Sequence, residues 1–279
     1  MKEKYDCSTK YPILMVHGMG FRDRKLLCYW GRIPKILRQC GAEIYFGNQD
    51  ANASIEYNGV LLKNALKKCL AESGAERANI IAHSKGGTES RFLASSLGMS
   101  RHIASITTIS TPHNGSATMD KIMKLPKPIM KAGSLITDVF MTIMGDSKPE
   151  TYRCLEELTT SYMAEFNRKN PDIEGIYYQS FAFAMKNPFS DILMSVPYIA
   201  VKFMDGRSRS DGFLTAKDVV WGNFRGVYTG TGRRGISHLD EVDMRRMRLS
   251  GNEPLYRNDI SDITQFYAKT VSELKGMGL

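Results

Sequence analysis

The six residues Ala82-His83-Ser84-Lys85-Gly86-Gly87 constrain this chain more than any other stretch. They follow a short apolar run (ANIIA, 78–82) and precede a segment compatible with a helix (TESRFLASSL). A serine at such a strand–turn–helix junction sits on strained backbone at the end of a sheet, so its neighbours two positions away on either side must be small. Ala82 and Gly86 meet that demand, although Gly is commoner than Ala at the first position. A plain Gly-rich turn would not require this context. The junction predicts a nucleophile at Ser84.

The chain around it reads as α/β. Residues 11–16 (YPILMV), 78–82 and 103–109 (IASITTI) have the apolar, β-branched character of buried strands, and 42–46 (AEIYF) is a weaker case. Between them Ile55, Leu62, Ala65, Leu66, Cys69 and Leu70 recur at helical spacing, and that pattern ends at Gly74. Strands alternating with helices imply parallel βαβ units. Residues 117–174 are Pro-broken, Met-rich and mostly helical, as Leu155, Leu158, Tyr162 and Phe166 show. Strand character returns at 175–183 and 225–229, and Ile263, Phe266, Tyr267, Thr270, Val271 and Leu274 mark an amphipathic final helix. Residues 1–279 are expected to form one domain with a lid-like helical insertion over 117–174.

A serine is a weak nucleophile at neutral pH and needs an imidazole base oriented by a carboxylate. When the serine lies on this kind of turn, the partners follow in the order acid, then histidine. Of the five histidines, His17 and His83 lie inside the motifs themselves, His102 follows a helix pattern, and His113 comes early, after a core strand. His238 stands between the last strand candidate and the final helix, and it alone fits the order. For the acid, Asp211 in Ser210-Asp211-Gly212-Phe213-Leu214 puts a carboxylate on a tight turn; Asp191, Asp205 and Asp218 are its rivals. Acyl transfer also needs donors for an oxyanion. The Lys85 amide and the Met19 amide, in His17-Gly18-Met19-Gly20 after the first strand, are the expected pair.

Charge and cysteine content exclude other classes. The chain carries 38 Lys+Arg against 29 Asp+Glu, a net +9. The charge is spread without a run of five like residues, so nucleic acid is not expected as a partner. The five cysteines have neither CxxC nor zinc-finger spacing, which points to reduced thiols. The polar start MKEKYDCSTK lacks a signal-peptide core. As given, the chain would be cytoplasmic, or secreted if a leader has been removed. No apolar stretch is long enough to span a bilayer as a helix.

Taken together, VHGMG, AHSKGG, STPHNGS, SDGFLTAKDVVWGNF and GISHLDEVD resemble the triacylglycerol-lipase branch of the bacterial lipases and esterases, related to the Pseudomonas and Burkholderia enzymes and Firmicutes homologues. The resemblance runs from residue 12 to about 270 and is weakest over 117–174. It implies an α/β-hydrolase fold with a mostly parallel central sheet flanked by helices and a helical lid or cap. It also implies a serine carboxylic-ester hydrolase with Ser84 as nucleophile, Asp211 as acid and His238 as base. The Met19 and Lys85 amides would form the oxyanion hole. The family usually has Asn rather than Ser before the acid, a departure at Ser210. No cofactor is required. Secreted members often hold a structural calcium, for which Asp240 matches one carboxylate ligand, with Asp191 or Asp205 as the upstream candidate. Asp240 as a helix N-cap is the competing reading.

The implied substrate is a lipid or small ester of unspecified chain length, and a lipid interface is an implied partner; the oligomeric state is not specified. Nine of the 16 methionines lie between Met119 and Met204 and suit either an adaptable acyl site or an irregular core. The apolar set in 119–144 is expected to pack over Ser84, with Arg22, Arg24 and Lys25 favouring anionic surfaces. An acyltransferase or thioesterase would use the same triad, and a non-catalytic apolar-ligand binder would share only the fold.

Overall fold

Strand β1 (Ile13–Val16) is buried along its whole length, and its alternation sorts side chains to the two faces of a sheet. Ile13 and Met15 join the core on one face, Leu14 and Val16 the core on the other. The computed structural model describes residues 5–23, 28–206, 208–251, 256 and 258–279. After β1 come α1 (Ile33–Gln39), β2 (Ile44–Phe46), α2 (Ile55–Ser73), β3 (Ala78–His83), α3 (Lys85–Ser95) and β4 (Ile103–Ile109). Four helices follow: α4 (Ala117–Ile122), α5 (Lys127–Ile143), α6 (Thr151–Glu157) and α7 (Thr160–Lys169). The chain then forms β5 (Tyr177–Ala184), α8 (Ile192–Asp205), α9 (Ala216–Val219), β6 (Asn223–Gly230), β7 (Asp259–Ile260) and α10 (Ile263–Gly276).

The seven strands lie in the order β2-β1-β3-β4-β5-β6-β7, and every neighbouring pair is parallel. Helices α1 and α10 cover one face through Ile33, Leu37, Phe266, Tyr267 and Val271. Helices α2 and α3 cover the other through Leu62, Leu66, Cys69 and Leu93. This is the expected α/β-hydrolase arrangement. The chain leaves β1 for β2 on one side and returns to β3 on the other. In open α/β sheets such a reversal opens a crevice at the carboxyl ends of the strands. Both Gly-containing motifs, after β1 and after β3, emerge there.

The strand candidates at 11–16, 42–46, 78–82, 103–109, 175–183 and 225–229 each coincide with a strand, and α2 ends in a left-handed Gly74 (φ 69°). The two-residue β7 has no sequence signal. One expectation about the insertion needs correction. Its apolar set does not pack away from water: Leu135, Ile136, Val139, Phe140 and Ile143 of α5 are all exposed, Ile143 at 76%. The helix is anchored instead by Ser134 and Met141, its buried residues. Helix α8, beyond residue 174, adds a second exposed stripe of Ile192, Val196, Ile199 and Phe203. The methionines do not form these faces. Met141, Met163, Met185 and Met194 are buried, and the other five of the nine are half-buried. Branched aliphatic and phenyl side chains carry the exposed apolar surface.

Candidate active site

Ser84 caps the N-terminus of α3 with φ 52° and ψ −131°, a region that costs a non-glycine residue about 1–3 kcal/mol. The surrounding backbone leaves no alternative. A Cβ on Gly86 would lie 2.4 Å from the His17 carbonyl, and one on Gly18 would lie 2.8 Å from the Ser84 Cβ. Parallel pairing of Val16 with Ala82 brings the two following loops side by side. The Ser84 amide donates to the Ile109 carbonyl at 2.9 Å, which fixes the turn against the end of β4. Ser84 itself stays half-buried.

His238 and Asp211 meet. His238 Nδ1 lies 2.8 Å from Asp211 Oδ2, and the His238 amide donates to the Asp211 carbonyl at 2.8 Å. Asp211 Oδ1 accepts from the amides of Phe213 and Leu214, each at 2.8 Å, so the Asp-Gly turn orients the acid. Burial works against its charge, but the His238 imidazole and these donors hold the carboxyl below its usual range. The His238 ring packs on His83, the residue before the serine, with centroids 4.4 Å apart, and Phe213 meets it edge-on at 5.4 Å. The rival acids lie elsewhere: Asp191 caps α8, Asp205 ends it, and Asp218 accepts from the Thr215 amide at 2.8 Å.

The loop after β1, where the oxyanion donor Met19 is expected, is held from below. His17 Nε2 lies 3.0 Å from the Gln49 carbonyl, and the Gly20 amide donates to Asn52 Oδ1 at 3.0 Å. Asp146, after α5, accepts from the amides of Ala51 and Asn52 at 2.9 and 2.8 Å. Arg22 donates to Asp50 Oδ1 at 3.1 Å and to the Asn48 carbonyl at 2.9 Å. Its side chain is therefore engaged in this support and not available to an anionic surface as expected. Arg24 and Lys25 lie outside the described residues. Lys85, whose amide opens α3, buries its ammonium against Glu89, 3.7 Å from Glu157 and 2.6 Å from the Ala53 carbonyl. Burial opposes that charge, but the neighbouring carboxylates outweigh it. The turn after Ser84 is thus pinned to α6 of the insertion.

Glu241 escaped the sequence reading, although it stands three residues after His238. Its Oε2 lies 3.0 Å from His83 Nε2 and 3.9 Å from His238 Nδ1, and its Oε1 accepts from the Ser110 hydroxyl at 3.0 Å. Tyr29 Oη completes the chain 2.6 Å from His83 Nδ1. Burial first, and then the adjacent Asp211 charge, push the Glu241 carboxyl well above its ordinary range. Folded protein therefore holds a proton that the unfolded chain releases near pH 4–5. Stability falls as pH rises from there, until the folded carboxyl itself ionises. Glu241→Gln should flatten that slope. Melting temperatures from pH 5 to 8 (about three units) check it, and parallel curves for parent and variant would mean Glu241 is ionised.

Among the described residues His83, His238 and Glu241 offer ligand atoms within 4.8 Å of one another, but His238 Nδ1 is committed to Asp211, and His83 Nε2 and Glu241 Oε2 are bonded to each other at 3.0 Å. The calcium implied for Asp240 fits no better. Arg245 Nε donates to Asp240 Oδ1 at 2.8 Å, and Arg245's terminal nitrogen approaches the same oxygen. Asp240 Oδ2 accepts from the Ser237 amide at 3.2 Å; Asp240 opens the short helical turn 240–242, whose N-cap is Leu239, so Asp240 is an ion-pair partner that ties back the preceding loop and not the expected N-cap.

No protein-family model matches the chain. The triacylglycerol lipase of Vibrio cholerae is 32% identical over an alignment covering 97% of this chain and 89% of that one. The chain belongs to the triacylglycerol lipase family. A Pseudarthrobacter phenanthrenivorans triacylglycerol lipase is 33% identical over 177 residues, 59% of this chain. The match spans 55% of that protein and 49% of a Burkholderia plantarii relative, about half the length of each. Staphylococcus hyicus lipase superposes on this family member with a TM-score of 0.68 and 18% identity, covering 97% and 98% of the two chains, which shows the shared fold.

Proposed function

We propose that the chain is a serine hydrolase of lipid carboxylic esters, working through an acyl-enzyme. The observation that carries this reading is the 2.8 Å bond between His238 Nδ1 and Asp211 Oδ2, on an imidazole that packs against His83, the residue before a serine in nucleophile-turn conformation. With Nδ1 committed to Asp211, Nε2 remains to take the proton of Ser84 Oγ as that oxygen attacks the ester carbonyl. Asp211 stays ionised and stabilises the imidazolium. The Met19 and Lys85 amides receive the oxyanion, and their loops need no reorganisation because Asn52 and the buried Lys85 ammonium already hold them. His238 then protonates the leaving alcohol. Water, deprotonated by His238 in turn, attacks the acyl carbon; the bond to Ser84 Oγ breaks, His238 returns the proton to that oxygen, and the acid leaves. Membership of the lipase family supports the substrate class.

The exposed stripes of α5 and α8 support action at a lipid interface, since contiguous exposed apolar surface marks interaction sites. Exposed Lys121, Lys124, Lys127 and Lys131 frame the first stripe and suit anionic lipid. Phe140, Met141 and Met144 meet Gly20 and Phe21 around a small cavity at the oxyanion loop, an apolar wall for an acyl chain. A series of 4-nitrophenyl esters from acetate to palmitate, with and without micelles, tests the reading. Octanoate should exceed acetate in kcat/KM by about ten-fold or more, and Phe140→Ser should remove most of that preference. A parent ratio below one, unmoved by Phe140→Ser, would mean that α5 plays no part in the acyl site. Failure to hydrolyse any ester would remove the hydrolase reading itself.

A further inference from the structure

The loop between β6 and β7 that carries His238 is fastened by an ionic cluster with no part in the acyl chemistry. Ser237 precedes the histidine, and its hydroxyl donates to Asp191 Oδ2 at 2.7 Å. The Asp240 amide donates to the same hydroxyl at 3.1 Å. Asp191 also caps α8, its Oδ1 accepting from the Leu193 amide at 3.0 Å. Two buried carboxylates, Asp191 and Asp240, therefore flank one serine next to the proposed base. Buried like charges at this spacing need a compensating positive group.

That group is arginine. Arg245 Nε donates to Asp240 Oδ1 at 2.8 Å, and Arg234 lies 4.0 Å from Asp240 Oδ2 while its Nε donates to the Ser190 carbonyl at 2.7 Å. The two guanidinium groups line a cavity of about 420 Å³ together with Asp191 and Leu239. A calcium ion takes six to eight oxygens. Here each carboxylate oxygen of Asp191 and Asp240 already accepts at least one hydrogen bond. A dication would also have to enter beside two permanent positive charges. Arg keeps its charge at every working pH, and its planar fork matches a carboxylate.

We propose that Arg245, assisted by Arg234, is a positioning residue that supplies the positive charge the His238 loop requires, so that the loop is independent of divalent cations. Asp240 after His238 is paired with the Arg245 guanidinium, Asp191 at the start of α8 is tied to the same loop through the Ser237 hydroxyl, and the loop so fastened sets the imidazole against Asp211. The charge is built into the chain, so chelation has nothing to remove.

The turnover part of the test rests on the hydrolase reading; the thermal part does not. Parent protein in EDTA and in millimolar calcium should show the same melting temperature and the same rate on a 4-nitrophenyl ester. Arg245→Gln should lower the melting temperature by about 5–10 °C. It should also lower kcat about ten-fold with KM nearly unchanged, because the base is displaced and the acyl site is not. Arg245→Lys should recover part of both losses. A parent whose melting temperature falls in EDTA and returns with calcium overturns the proposal, whatever the variants do. So does an Arg245→Gln protein with unchanged kcat. If Arg245→Gln does not fold, Arg234→Gln carries the same kcat-against-KM comparison, and the EDTA arm needs no variant.

Discussion

Ser84→Ala should lower ester turnover by about a million-fold while the protein stays folded. Alanine keeps the Cβ that already fits between Gly18 and the end of β3, so the strained turn gains no new contact. The half-buried hydroxyl is no structural support: among the described residues no hydrogen bond of Ser84 Oγ holds the turn, which rests on the Ser84 amide and carbonyl. Circular dichroism and the melting temperature should match the parent. His238→Ala should lose a comparable amount, because members of a triad act as a unit. A residual rate above that of water would remain, from substrate binding and the Met19 and Lys85 amides. Single-turnover kinetics with a 4-nitrophenyl ester checks both variants, and a folded Ser84→Ala protein with parental turnover removes Ser84 from the mechanism.

Asp211→Asn should cost about 10⁴ in kcat. The carboxylate accepts on both oxygens, from Phe213 and Leu214 on one and opposite His238 Nδ1 on the other. Asparagine has one acceptor oxygen, and the two amides claim it. Its NH₂ group then faces Nδ1 and forces the proton onto Nε2, the nitrogen that must act as base. The fold should survive, since the amide contacts persist. Asp205→Asn, at the far end of α8, should keep parental kcat. An Asp205→Asn protein as damaged as Asp211→Asn would show that the acid is misassigned. The acid's depressed pKa has a consequence of its own. The ionised Asp211 carboxylate stabilises the fold above the ordinary carboxylate range and loses that contribution as pH falls through the folded value.

The sequence determined the parts whose physics is local. The strand cores were legible because a parallel strand buried on both faces must be apolar throughout, as Ile13, Leu14, Met15 and Val16 are. The Ser84 turn was legible because its steric demand reaches only to Ala82 and Gly86. Asp211 stood out through its Asp-Gly turn, and His238 through chain order.

Tertiary structure decided what depends on which distant segments meet. Glu241 lies three residues from His238, yet its role depends on His83, Ser110 and Tyr29, which come from three other segments. Asn52, Asp146 and the buried Lys85 ammonium support the loops after β1 and β3 through contacts between segments far apart in the chain. Asp240 carried the pattern of a metal ligand, and Arg245 claimed it; the choice of Asp191 as the nearby upstream acid needed the fold. The exposure of α5 and α8 was equally hidden. An apolar stripe at helical spacing has the same sequence whether it faces a core or solvent, because its burial is set by the surface opposite and not by the helix itself.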